Sequence, residues 1–272
     1  MTQPKVAYTA QLQAGLGMLA ETRALLELWQ PGMDRTSLNK VALQSGRFPN
    51  VSARRLQNIV GECFAPRYLV QNGAPAMLLK TLQPTLSGYV LEQLMFLYTC
   101  RATAILADYV REVYWHAYTA GRPTLSFDEA HDFVTRANQD GKTRRSWSLG
   151  TVKKNAGYLN SCCADFGLLE RGKSRLWKIL HYQIDPQVAI ILAYDLHFAG
   201  LGDNQVVNPQ GMQSHAADWA LFGLDSTDVL NELKRLALKG VFIVQAAGGV
   251  TRVSWQYKNR EELTDALTTG QF

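Results

Sequence analysis

Four cysteines in 272 residues are too few for a disulfide framework. Two of them, Cys162 and Cys163, are adjacent, a spacing that rarely bridges, and no Cys-x-x-Cys pair exists. Long apolar runs are missing as well. The longest charge-free stretch, Val6 to Ala20, is broken by Gln11 and Gln13, and the apolar segment from Tyr89 to Tyr109 is cut by Glu92, Arg101 and Asp108. A membrane span needs ~20 mostly apolar residues, so none is expected, and Lys5 with those glutamines argues against a leader peptide. The expectation is a reduced chain in the cytoplasm without membrane contact. Catalytic signatures are also absent: no G-x-S-x-G turn, no G-x-G-x-x-G loop, no H-E-x-x-H. The five histidines are scattered, without a cysteine partner at zinc spacing. The sequence therefore predicts a non-enzyme with no catalytic residue, no metal and no cofactor, although triads assembled from distant positions would leave no such signature.

What is present is core material and misplaced charge. Hydrophobic residues make up 47% of the chain, which excludes disorder, and the length suits two or three modules. The net charge of +5 is unevenly spread. Residues 141–180 hold nine basic side chains (Lys142, Arg144, Arg145, Lys153, Lys154, Arg171, Lys173, Arg175, Lys178) against Asp165 and Glu170, a net +7. Residues 181–272 are acidic, at −4. A local cationic field of that size attracts polyanions, because each neutralised phosphate releases condensed counterions.

Periodicity predicts mostly helix. Leu16, Leu19, Leu26 and Trp29 line one helix that Pro31-Gly32 ends. Thr36 to Gln44 is a second, and Ser52 caps a third with Leu56, Ile59 and Val60 inside and Arg54 and Arg55 outside; the pair has a helix-turn-helix look. Leu86 to Trp115 reads as one long central helix. Ser126 to Glu129 has the spacing of a capping box. After a basic loop, Leu149, Val152, Ala156, Leu159, Cys163 and Phe166 recur on one helical face. Gly167 then ends the helix, and Leu168-Leu169, a turn at Arg171-Gly172-Lys173, and Leu176 to Tyr182 suggest a hairpin.

The same order recurs. Asp185-Pro186 opens a helix, Ser214 to Phe222 is short and helical, and Asp225 or Ser226 caps a helix that Gly240 ends. A hairpin from Val241 to Tyr257 follows, turning at Gly248-Gly249. The predicted fold is mainly α: an N-terminal helical bundle with a helix-turn-helix-like segment (1–123), then two winged-helix-like modules with small β-hairpins (124–186 and 187–272).

Two motif matches fail on context. Gly167 to Ser174 fits the phosphate-loop pattern G-x-x-x-x-G-K-[ST], but a helix precedes it and an alternating strand follows, the reverse of what that chemistry needs. Glu232-Leu233-Lys234 matches a nuclease E-x-K pair, but it falls in a helical repeat where two residues diverge by roughly 200°. What remains is binding. Lys153, Lys154, Asn155 and Tyr158 are placed to face a DNA groove, with Lys142, Arg144, Arg145, Lys173 and Arg175 on phosphates and Arg54 and Arg55 as a secondary contact. So many cations and so few amides predict weak sequence preference.

The first third carries a further pattern: Tyr8-Thr9-Ala10, Gly15, Glu21-Thr22, Leu26, Trp29, Asn39-Lys40, the Arg54-Arg55 helix and Arg67-Tyr68-Leu69. In these residues the chain resembles the BrxA family of BREX phage-defence systems, over nearly its whole length and most densely before residue 70. The resemblance implies host defence beside a methyltransferase, a phosphatase-like protein and an ATPase, and it implies double-stranded DNA as a partner. It carries over no catalytic residue. Two alternatives stand: a scaffold whose modules bind other defence proteins, or an RNA binder using the aromatic cluster Tyr114, Trp115 and Tyr118.

Overall fold

A computed structural model describes residues 7–208 and 215–270. The chain is mainly α, with small antiparallel sheets. Helix α1 (Leu19–Leu28) is followed by α2 (Arg35–Gln44), whose N-cap Asp34 accepts from the Ser37 amide at 2.8 Å. Ser52 caps α3 (Ala53–Asn58) through the Arg55 amide at 3.2 Å, and a wider π turn over Ile59–Phe64 leads into α4 (Ala65–Tyr68). Then come α5 (Ala74–Leu82), α6 (Gly88–Ala102), α7 (Ala104–Tyr109) and, beyond a π turn at Val110–Tyr114, α8 (Trp115–Thr119). The single helix expected from Leu86 to Trp115 is thus broken at Thr103, where the backbone leaves the helical region at φ −133° and ψ 84°. Apolar periodicity is blind to such a break, because residues on both sides of it are buried.

Strand β1 (Thr124–Ser126), α9 (Phe127–Gln139), α10 (Leu149–Asp165), β2 (Leu169–Arg171) and β3 (Leu176–Ile179) follow. The sheet order is β1-β3-β2, antiparallel throughout, with Leu125 opposite Trp177 and Arg171 opposite Trp177 on its other side. Three residues are too short for alternation to reveal, so β1 joins what sequence shows as a hairpin. The rest is α11 (Pro186–Phe198), α12 (Asp203–Val207), a 3₁₀ segment His215–Phe222, α13 (Ser226–Ala237), β4 (Phe242–Ala247), β5 (Val250–Trp255) and α14 (Arg260–Thr269). Ser214, expected to begin the short helix, lies outside the described residues. Gly167 and Gly240 sit at φ 76° and 79° just past α10 and α13, a left-handed conformation that glycine adopts without a Cβ penalty. Gly248-Gly249 closes the β4–β5 hairpin with both φ values positive, the geometry of a primed turn. Among the described residues no single helix is long and apolar enough to cross a membrane.

Two compact units divide the chain: 7–80 with 98–182, and 81–97 with 183–270. In the first, Leu25, Leu26, Trp29, Phe64 and Tyr68 fill the core of the opening helices, and Tyr109 packs edge-on to Phe133 while donating to Asn160 Oδ1 at 2.6 Å. In the second, α11 is buried continuously from Val188 to Leu196. Its Tyr194 is the hub: the hydroxyl donates to the Val241 carbonyl and accepts from the amides of Gln256 and Tyr257, and the ring meets Trp255 edge-on at 4.9 Å.

The expected capping box is present. Ser126 accepts from the Glu129 amide at 3.3 Å, Glu129 accepts from the Ser126 amide at 2.9 Å, and Arg122 grips the same carboxylate through two nitrogens at 2.6 and 2.9 Å. That guanidinium, ahead of the Ser126 bonds, lowers the Glu129 carboxyl to about 2. A depressed carboxylate contributes stability in full above its ordinary range near 4.5, and that stability is lost as pH falls toward about 2. Replacing Glu129 by Gln is therefore expected to lower Tm at neutral pH and to flatten the acid limb of a Tm-versus-pH curve across that window. An unchanged acid limb would show that the carboxylate is not held this way.

Gly17 meets α10 closely. Its amide donates to Asp165 Oδ2 at 2.9 Å, and a Cβ built on it would fall 2.6 Å from Asp165 Cβ. Neither atom is at the end of a flexible chain, so Gly17→Ala must shift backbone. The expected cost is about 1–3 kcal/mol, read as a lower midpoint in urea or heat, and an unaltered midpoint would contradict the close approach.

Candidate nucleic-acid interface

The cations of residues 141–180 are displayed by three local devices, all in the first unit. The first is α10 itself. Ser148 caps it through the Thr151 amide, and Val152, Ala156, Leu159, Cys162 and Cys163 are buried. Burial pushes the Cys162 thiol up to about 12, so it stays protonated and unreactive. Between its exposed ends at Leu149 and Asp165, the helix turns a stripe at positions 150, 153, 154, 157, 158 and 161 toward the groove, spaced 3, 1, 3, 1, 3, which is one face of an α-helix. Lys153 and Lys154 are exposed there and Tyr158 is half-buried.

The second device is the β2–β3 turn. Gly172 and Leu176 pair through the Gly172 amide at 2.9 Å, and Ser174 and Arg175 take left-handed φ values of 55° and 60°. Those torsions cost a non-glycine residue energy, and the Arg175 carbonyl is fixed by the Phe127 amide at 3.0 Å. Two guanidiniums are thereby set over aromatic faces: Arg175 5.6 Å from the Phe127 ring centre and Arg171 5.9 Å from that of Trp177. Lys173 is exposed at the turn, while Lys178 pairs with Glu170 at 3.5 Å.

The third is the loop before α10. Tyr8 lies alongside it as an isolated parallel bridge to Thr143: the Tyr8 amide donates to the Lys142 carbonyl at 2.7 Å and its carbonyl accepts from the Arg144 amide at 3.1 Å. Asn138 clamps the loop from within, accepting from the Thr143 hydroxyl and the Trp147 amide and donating to the Trp147 carbonyl. Tyr8 is anchored in turn by Asp108, which accepts from its hydroxyl at 2.6 Å; burial, together with that carboxylate, pushes the hydroxyl's pKa upward.

Of the residues singled out from sequence, Lys153, Lys154, Tyr158 and Arg175 come together around one groove of about 820 Å³ between α10 and the turn. Arg171, counted in the basic stretch but not singled out, completes the set. Among the described residues, none of Lys153, Lys154, Arg171 and Arg175 is ion-paired with a carboxylate. Arg144 and Arg145 are exposed and Lys142 half-buried on the clamped loop, outside the groove lining. Arg54 is exposed on α3, and Arg55 donates to the Ala14 carbonyl, so neither lines the groove. Asn155 requires a correction: it is 2% exposed, and its amide nitrogen donates to the Thr151 carbonyl at 2.9 Å. Position 155 belongs to a second buried row with Leu159, Cys162 and Phe166, and the polar side chain concealed that from a hydropathy pattern.

The groove's apolar wall, Leu16, Phe127, Leu176 and Trp177, was not anticipated. One signal did point to it: Gly150 and Gly157 lie seven apart on the lysine face, and Gly157 is in the helix interior, where glycine costs about 1 kcal/mol relative to alanine. Of the aromatic cluster considered for RNA, Tyr114 and Trp115 are core, buried and edge-on at 5.0 Å, and Tyr118 is half-buried. The phosphate-loop match lies between α10 and β3, with strand where a helix would be required, and Glu232 on α13 is held by Arg235 at 2.9 Å.

Comparison with known proteins places this architecture. No curated protein matches significantly. The crystal structure of an uncharacterized protein from Magnetospirillum magneticum is similar in fold, with a TM-score of 0.55 at 18% identity, covering 72% of this chain and 95% of that one. The BrxA family model matches residues 6–194, which includes the first unit's described residues and ends within α11. The chain therefore belongs to the BrxA family and is a component of a BREX phage-defence system.

Proposed function

We propose that the chain is a non-enzymatic, double-stranded DNA-binding component of its defence system, acting through phosphate-dominated contacts with weak sequence preference. The observation that carries this reading is the convergence of Lys153, Lys154, Arg171 and Arg175 on one groove without carboxylate partners. Cations held apart from carboxylates keep an uncancelled field, and phosphates are the ligands that gain most from it. In this reading residues 124–186 form a winged-helix module, with α10 as the helix facing DNA and the β2–β3 turn as its wing, and residues 187–272 form a second. The clamped loop with Lys142, Arg144 and Arg145, and Lys173 on the wing, add phosphate contacts, and Arg54 gives a secondary one.

Reversing charge at Lys153 and Lys154 together to Glu is expected to weaken binding to random duplex in a gel-shift titration. It should also shallow the slope of log affinity against log salt by about 0.9 for each phosphate that is no longer neutralised. A double variant that titrates like the parent would remove α10 from the interface.

A second reading, docking of other defence proteins, is supported by the other unit. Leu238, Ile243 and Val250, at or near the β4–β5 hairpin, are 89%, 63% and 54% exposed. Exposed apolar side chains so close together suit a protein partner. The two readings assign different surfaces and are compatible in one chain.

A further inference from the structure

The groove beside α10 is more than a cationic rail. Its helix wall runs from Gly150 to Ser161, about 16 Å at 1.5 Å per residue, and glycines at 150 and 157 keep the floor low on either side of the lysines. Its opposite wall carries apolar surface: Leu176 is 42% exposed, Trp177 beside it shows only an edge at 8%, and Phe127 is half-buried, as is Tyr158 on the helix wall. Contact with duplex phosphates requires cations but no apolar wall. A base-paired duplex, moreover, hides its base faces in the stack and offers only edges. A strand with unpaired bases offers both phosphates and π-faces, and proteins that bind such strands combine a basic groove with aromatic surface.

We propose that this groove holds an unpaired segment of one DNA strand, at a duplex end or opened stretch, with bases against Tyr158, Leu176 and Trp177 and phosphates on Lys153, Lys154, Arg171 and Arg175. The proposal rests on the DNA-binding reading and refines its substrate. The cation–aromatic pairs explain how both chemistries share one wall: each guanidinium rides on a ring, Arg171 on Trp177 and Arg175 on Phe127, so charge stands at the rim above an apolar interior.

The test is fluorescence anisotropy with three probes of one random sequence at one salt concentration: a blunt duplex, the same duplex with a single-stranded tail, and the tail strand alone. The tailed duplex is expected to bind about tenfold more tightly than the blunt one, a factor that stacking of one base supplies. Leu176→Ser, at an exposed strand position, should shrink that ratio, and Arg171→Ala provides a second variant should the first fail to fold. Equal affinity for blunt and tailed duplexes overturns the proposal while leaving duplex binding intact. Binding of the free strand as tightly as the tailed duplex, with the blunt duplex unbound, supports the groove and overturns the duplex reading. No binding to any of the three overturns both.

Discussion

The burial of α10 is the constraint on which the candidate interface depends. Rows through Val152, Ala156, Leu159 and Cys163 and through Asn155, Leu159, Cys162 and Phe166 all point inward. A helix committed on so wide a face has one narrow stripe left for solvent. Whatever the protein does with this helix must be done by the residues of that stripe, and those are two lysines, a tyrosine, two glycines and a serine. The chain places glycines there, one of them, Gly157, in the helical interior, where alanine would be more stable. A surface selected for stability alone would not be built so.

Long-range clamps then convert a charged stretch into a directed one. Gly17 and Asp165 fasten the N-terminal segment to the end of α10, and Arg67, itself buried, donates to the Gly15 carbonyl at 2.9 Å. Tyr8 holds the basic loop from the other end of the same segment. Residues 8 to 17, otherwise a short 3₁₀ turn and extended chain, thus act as a strap over two parts of the interface. Tyr8 and Gly15, through which the chain resembles its family, thereby gain a physical role, since they position the cationic loop and the helix end.

Most of the architecture was legible in sequence because it follows local rules. Period-3.6 patterns locate α10 and α13, the capping box at Ser126 starts α9, and Gly167 and Gly240 stop helices through positive φ. Membership of the BrxA family was legible through residue spacing in the first third. The site was legible by charge but not by geometry. Lys153 and Lys154 follow from helical phase, yet the meeting of Arg171 with Trp177 and of Arg175 with Phe127 depends on a turn with two left-handed residues that no pattern announces. Asn155 departs from the expected groove-facing position because a polar side chain can be buried when its amide nitrogen finds a local carbonyl, here that of Thr151. The break at Thr103, strand β1 and the Tyr8 bridge escaped for one reason: each is decided by distant partners rather than by neighbouring residues.

The two hairpin-bearing stretches show how far one architecture constrains use. Each places a helix, a glycine stop and a hairpin in the same order, and each hairpin leads to an aromatic anchor, Tyr182 or Tyr257. Their surfaces diverge in opposite directions. Around β2 and β3 the exposed residues include Arg171, Lys173 and Arg175 beside Glu170 and Leu176, whereas around β4 and β5 they include the apolar Ile243 and Val250. Repetition of an architecture therefore does not repeat a surface: what each copy can meet is set by the side chains its hairpin exposes.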